Sequence, residues 1–160
     1  MPASQAIETT GAILQEYADR AVFRGFSGPV AHRGKAAFKI LWHRDRQFEL
    51  ILDPAKKTLR FAVVLPGVPA RSAMYREFKK FLESRFTKEV PDHRRIDRKK
   101  ARVTCGNRGG NVSVTLTVLG GDYAYGTRKL IHLIHEVFLT FLTEYFEYQV
   151  EAFDLDPDHP

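Results

Sequence analysis

"TLRFAVVL", residues 58–65, decides the fold, because its apolar side chains recur at every second position. Alternation of branched and aromatic residues is typical of a strand that buries one face. Arg60 and Ala62 fall on the other face, so we expect that face to be of mixed polarity and partly in water. The predicted inward residues are Leu59, Phe61, Val63 and Leu65.

Two earlier stretches show the same alternation, and their parity constrains the turns between the strands. "AFKILWH" at 37–43 and "QFELILD" at 47–53 place even-numbered residues inward, whereas 58–65 places odd-numbered residues inward. Paired residues of a hairpin lie on the same side of the sheet. The first turn must therefore have an odd number of residues and the second an even number. The inward residues of these two strands are Phe38, Ile40, Trp42, Phe48, Leu50 and Leu52.

Two later stretches, 101–107 and 111–119, alternate again, and the glycine-rich "NRGG" between them predicts a hairpin turn. These bring the number of predicted strands to five. The stretch "FRGFSGPVAHRGK", residues 23–35, is rich in glycine, proline and serine and predicts a loop.

Helical periodicity predicts two helices, in 6–22 and 71–86, and a long last helix from 127 to about 150. The order α-β-β-β-α-β-β-α defines an α+β fold, with a five-stranded antiparallel sheet covered by the long C-terminal helix. We expect a single domain, 1–160, with a frayed acidic tail at 151–160. One core should unite Phe38, Trp42, Phe61, Val114, Phe138 and Phe141.

This order resembles the type III secretion chaperone-like fold, and more closely its bacterial YbjN-like family. The resemblance extends over most of the chain and is carried by "LRFAVVLPGVPA", residues 59–70, and "GNVSVTLTVLGGDYAYG", residues 110–126, each leading into a helix. Secretion chaperones of this fold are typically dimers that hold partner segments on their surfaces, and YbjN-like proteins have regulatory or interaction roles. The resemblance therefore implies a non-enzymatic interaction module, without a catalytic site or cofactor.

The outer face of the predicted sheet is the candidate protein interface. Apolar side chains alternate there with charged ones, and monomers rarely leave large apolar patches in water. We therefore expect this face, or the second helix, to be covered in a two-fold symmetric homodimer. The candidate interface residues are Leu41, Ile51, Ala62 and Val64.

"HRRIDRKKAR", residues 93–102, is the candidate site for nucleic acid or another polyanion. Its density of positive charge suits sequence-independent phosphate binding. Single-strand binders usually add stacking aromatics, however, and 91–109 contains none. We therefore favour a solvated connector into an edge strand, with nucleic-acid binding as the alternative function. The candidate residues are Arg94, Arg95, Arg98, Lys99, Lys100 and Arg102.

The net charge of +6 is unevenly distributed along the chain. Every charged side chain from Glu144 onward is acidic. Because these acids begin near the end of the last predicted helix, where they oppose its dipole, we expect them to cover the basic stretch loosely, in cis or from a dimer mate. The acids are Glu144, Glu147, Glu151, Asp154, Asp156 and Asp158.

Other polar positions give weaker signals. His132 and His135 lie three apart on the last helix, but no third metal ligand is indicated, so we assign no metal site. The loop "GGDYAYG" precedes Thr127, the expected helix N-cap; Arg128 and Lys129 could draw an anion there, but the spacing matches no phosphate-binding motif. Cys105 is expected to be a small buried apolar residue.

The composition, the N-terminal stretch and the most apolar stretch bear on where in the cell the protein is expected. A lone cysteine cannot form an internal disulfide, which favours a reducing compartment. The N-terminal "MPASQAIETTGAIL" lacks the basic start of a signal peptide. The most apolar stretch, 130–146, contains two His and two Glu and is too polar to span a bilayer. We therefore expect a cytoplasmic protein without membrane contact.

Overall fold

The structure, a computed structural model, describes residues 3–154. Its α+β chain forms four α-helices, two single turns of 3₁₀ helix at His43–Asp45 and Phe141–Glu144, and six strands. The helices are α1 Ala3–Asp19, α2 Ala73–Ser84, α3 Tyr123–Leu139 and α4 Phe146–Phe153. The strands are β1 Gly25–His32, β2 Lys35–Leu41, β3 Gln47–Asp53, β4 Thr58–Leu65, β5 Ala101–Arg108 and β6 Asn111–Val118.

All strands pair antiparallel, in the order β1-β2-β3-β4-β6-β5. Ile40 pairs with Phe48 across a loop of odd length, 42–46. Leu50 pairs with Phe61 across a loop of even length, 54–57. The parity prediction is therefore confirmed for both turns.

The prediction of five strands is wrong, because residues 25–32 form an additional edge strand instead of part of a loop. β1 pairs with β2, and its register shifts between Ser27 and Val30, around Gly28 and Pro29. A Cβ on Gly28 would lie 2.8 Å from the Ala37 carbonyl oxygen, so glycine allows the close approach. Because β1 is largely exposed, it lacks the apolar alternation that marks the other strands.

β4 changes the face that it buries partway along its length. Phe61 pairs with Val114 but Leu65 pairs with Val112, so β4 contains extra residues between these points. As a result Val64 and Leu65 are both fully buried, whereas Val63 is only half-buried. The predictions that Val63 faces inward and Val64 faces outward are therefore wrong.

The helices lie against one face of the sheet. α1 packs on α3 and β1, and α3 packs on β4 and β6. A Cβ on Gly126 would lie 2.8 Å from Val118 Cγ2, so this glycine lets α3 approach β6 closely. The predicted core is confirmed, because its six residues are all buried in one cluster: Phe38, Trp42, Phe61, Val114, Phe138 and Phe141.

The predicted long last helix is instead three shorter pieces. α3 begins four residues before the predicted start, capped by Asp122, whose carboxylate accepts the Tyr125 N–H at 3.0 Å. Thr127, the predicted cap, is fully buried within the helix beside Thr10. α3 ends at Leu139, and the chain continues through the 3₁₀ turn into α4, which includes residues 151–153 of the predicted frayed tail. The rest of that tail, 155–160, lies outside the described residues.

Candidate polyanion-binding surface

The connector from α2 to β5 carries the basic stretch and is fixed by apolar anchors. Val90 and Ile96 are each 2% exposed. The Ile96 N–H donates to the Arg85 carbonyl at 3.0 Å, which ties the connector to the end of α2. With its apolar residues turned inward, the connector presents most of its charged side chains to solvent.

Two of the six candidate cations, Arg95 and Arg98, form ion pairs with acidic side chains, and the other four do not within residues 3–154. Arg95 is structural, because its guanidinium donates to the Thr87 and Val90 carbonyls, each at 3.0 Å, and pairs with Asp92 at 2.8 Å. Arg98 pairs with Glu83 at 2.5 Å, although both side chains are largely exposed. The other four are exposed, and within residues 3–154 none of them forms an ion pair with an acid: Arg94, Lys99, Lys100 and Arg102.

Aromatic rings lie under this charge, although none occurs in 91–109. The Lys100 and Lys129 ammonium groups lie 4.9 and 5.5 Å from the centre of the Tyr125 ring. The Arg98 guanidinium lies 4.9 Å from the centre of the Phe86 ring. Sequence reasoning missed both rings because the fold brings them from α3 and from the end of α2.

Lys129 adds a cation that is partly withdrawn from water. Its ammonium donates to the His93 carbonyl at 3.2 Å, so α3 and the connector share this surface. Burial lowers the pKa of Lys129; Glu136 opposes this shift, and repulsion from Lys100 adds to it. An anion placed between Lys100 and Lys129 would relieve that repulsion.

A groove of about 270 Å³ continues the surface toward β5. Arg98 and Arg102 supply positive charge, Glu83 supplies the opposing charge, and Leu119, at 41% exposed, supplies an apolar floor. The remaining lining residues are Phe86, Ala101 and Val103.

The acidic C-terminal segment, as far as the structure describes it, packs elsewhere. The Tyr148 hydroxyl donates to the Pro66 carbonyl at 2.6 Å, and Phe153 packs on Phe138, 5.9 Å between ring centres. Within residues 3–154 no ion pair joins the C-terminal acids to residues 93–102. The predicted cover in cis is thus wrong for the four acids in this range, and Asp156 and Asp158 lie outside it.

The candidate protein interface lies on the sheet face opposite the helices. Leu41, Ile51 and Ala62 are half-buried there. Val64 is not part of it, because the irregularity in β4 turns that residue into the core. Three exposed charged residues alternate with the apolar ones, namely Lys39, Glu49 and Arg60.

The histidines and the arginine considered from the sequence each contact another side chain in the fold. His132 packs edge-on against Tyr17, whereas His135 meets His43 from the β2–β3 loop. Arg128 donates to Glu16 at 2.9 Å instead of facing the glycine-rich loop.

Cys105 is half-buried, 3.6 Å from the Tyr75 hydroxyl, and burial raises the pKa of Tyr75 to about 12. Among residues 3–154, no three His, Cys, Asp or Glu side chains are grouped to hold a metal ion.

No protein-family model, curated protein or solved structure shows significant similarity to the chain. None of the helices in residues 3–154 is long and apolar enough to cross a membrane.

Proposed function

We propose that the protein is a non-enzymatic binding protein whose connector surface takes single-stranded nucleic acid. The observation that carries the proposal is a run of four exposed cations, without ion-pair partners in residues 3–154, of which Lys100 lies over the Tyr125 ring together with Lys129. Cationic grooves with nearby aromatic rings are the usual combination in single-strand binders. The lack of aromatic residues in 91–109 argued against this function from sequence alone. In the structure, however, the rings of Phe86 and Tyr125 lie beside the cations.

The charge of this surface sets the expected salt dependence. If four or five phosphates are neutralised on a single strand, log Kd should rise with log salt with a slope of about 3. Binding should be insensitive to base sequence, because this surface offers point charges beside two aromatic rings and no set of paired donors and acceptors suited to a particular base.

A matched pair of charge-removal variants tests the proposal. Fluorescence anisotropy with a labelled single-stranded oligonucleotide would be measured at several salt concentrations between about 50 and 200 mM. The test variant replaces Arg94, Lys99, Lys100 and Arg102 with alanine. The control removes the same charge from exposed positions elsewhere, namely Lys56, Arg71, Arg76 and Arg108.

We expect the test variant to lose most of the salt dependence, because each lost phosphate contact on a single strand lowers the slope by about 0.7, while the control keeps the wild-type slope. Equal loss in both variants would mean that only net charge matters. A wild-type protein that does not bind the oligonucleotide at low salt would refute the proposal.

Homodimerisation through the open sheet face is a second candidate function. Its supporting observation is the half-buried set Leu41, Ile51 and Ala62 on the face opposite the helices. The resemblance to the type III secretion chaperone-like fold and its YbjN-like family supports the same proposal, since secretion chaperones of this fold are typically dimers that hold partner segments. A cytoplasmic setting belongs to this proposal too, on the ground of the lone Cys105.

The mass in solution tests this second candidate. Light scattering should give twice the 18.3 kDa chain mass, and Ile51→Glu should return the mass of one chain. Lys56→Glu, a charge change on the exposed β3–β4 turn, is the control and should leave the dimer intact. A wild-type mass of one chain at tens of micromolar would refute it.

A further inference from the structure

Two histidines far apart in sequence meet at the C-terminal part of α3. His43 begins the 3₁₀ turn after β2, and His135 lies on α3. His43 Nε2 and His135 Nδ1 are 3.2 Å apart, and the ring centres are 5.1 Å apart. This centre-to-centre distance is shorter than two rings pointing straight at each other would give, so the two rings meet at an angle.

Packing holds both rings in place. The Trp42 ring stacks parallel to His135, 6.2 Å between centres, and Phe138 stacks on His43 at 4.5 Å. The next residue, Arg44, is tied to α4 because its Nε donates to Gln149 Oε1 at 3.1 Å. The imidazoles are therefore placed by aromatic neighbours from the β2–β3 loop and from α3, and that loop is tied to α4, which reduces the cost of ordering them around a ligand.

The spacing of the two nitrogens matches the bite of one metal ion. Ligand nitrogens at about 2.0–2.1 Å from a metal, at angles between square-planar and tetrahedral, lie about 2.9–3.4 Å apart. The observed 3.2 Å falls within this range. Without a metal, one of the two nitrogens donates a hydrogen bond to the other; a bound metal would take the place of that proton, which would pass to water.

We propose that His43 and His135 form a binding site for a late first-row divalent metal ion, of the class of Cu²⁺, Ni²⁺ and Zn²⁺. Imidazole is a good ligand for these ions, and Cu²⁺ should bind most tightly. Beside the pair lies a cavity of about 400 Å³ between α1 and α3, lined in part by Trp42, His132 and His135, with room for water or an external ligand at the remaining coordination positions.

The single tryptophan provides the readout. Trp42 lies 4.4 Å from His43 and 6.2 Å from His135 between ring centres, so Cu²⁺ held by the pair should quench its fluorescence. The tag-free protein would be titrated with CuCl₂ at pH 7 and compared with His43→Gln and His135→Gln. His32→Gln and His93→Gln, at exposed positions, serve as controls, and circular dichroism confirms that each variant is folded.

We expect saturable quenching at one copper ion per chain. Either test variant should raise the Kd on the order of tenfold or more, since loss of a hydrogen-bond partner of a ligand already costs that much. Zn²⁺ should compete and restore the fluorescence. Electron paramagnetic resonance of the wild-type copper complex should show two coordinated imidazole nitrogens, a result that does not depend on the variants folding.

Three results would overturn the proposal. These are quenching that does not saturate, an unchanged Kd in both test variants, and an equal loss of affinity in any control variant. A resonance spectrum with a single nitrogen ligand would count against the pair in the same way.

Discussion

The two ends of α3 use their polar residues in opposite ways. At its start, Tyr125 and Lys129 meet the basic connector, where the cations lie close together in the chain and remain in water. Toward its end, His135 meets His43, which lies 92 positions away and is held between aromatic rings. A dense run of charged residues is therefore easy to find in a sequence, although the fold gives most of its side chains no fixed partner. The histidine pair is tightly constrained but leaves no local signal.

The largest expected effect comes from a substitution in the core next to the C-terminal end of α3. Phe141 is 8% exposed and packs on Phe78 and Tyr145, 5.4 and 5.0 Å between ring centres. Phe141→Ala should lower the free energy of unfolding by about 3–5 kcal/mol, because it leaves a cavity. Phe146→Ala, at 37% exposed, should change it by about 0.5 kcal/mol or less. Urea unfolding of both variants measures the difference, and equal losses would contradict the assigned packing.

A second pair of variants compares buried with exposed charge. Arg85 Nη1 lies 2.6 Å from Glu136 Oε2, with both side chains nearly buried. Glu136→Gln should cost about 2–3 kcal/mol, because the Arg85 charge loses its partner. Glu83→Gln removes the acid from the exposed pair with Arg98 and should cost less than about 1 kcal/mol. Thermal and urea unfolding would check both values, and a larger loss for Glu83→Gln would reverse the comparison.

The smallest expected effect is the change in the free energy of unfolding with pH. Because the pKa of His43 falls from 6.5 to about 3 on folding, the unfolded chain binds more protons between these values. The free energy of unfolding should therefore decrease as the pH falls from 7 to 4. Partial contact with solvent weakens the effect, so we expect His43→Gln to remove about 1 kcal/mol of this decrease. Urea unfolding at both pH values measures it, and His93→Gln should behave like the wild type.

The sequence was sufficient where neighbouring residues determine the geometry. The parity of Phe38, Phe48 and Phe61 predicted the lengths of two turns, because strand pairing obliges partners to share a face. The same reasoning failed at Val63 and Val64, where extra residues in β4 reverse the alternation without a proline or glycine to mark the change. β1 was missed because an edge strand that buries little shows no apolar period.

The candidate sites show the same distinction between features that neighbouring residues determine and features that depend on the fold. The cations of 93–102 could be named from the sequence, but their separation into structural Arg95 and exposed Arg94 could not, since it depends on the Thr87 and Val90 carbonyls. The ring of Tyr125 was also out of reach, because only the docking of α3 beside the connector brings it there. Gly126 marks only the close approach of α3 to β6, not the contact with the connector.

The strand order also has a consequence for how the chain folds. β1 to β4 form a meander in which each strand pairs with its neighbour in sequence, and β5 pairs with β6 in the same way. Only the β4–β6 pair, in which Phe61 meets Val114, closes a long loop that contains α2 and the whole connector. Closing a long loop costs entropy before its contacts are made, so this step should limit the folding rate. The connector is therefore the span whose closure sets the pace, and its mutually repelling cations should make folding faster in salt.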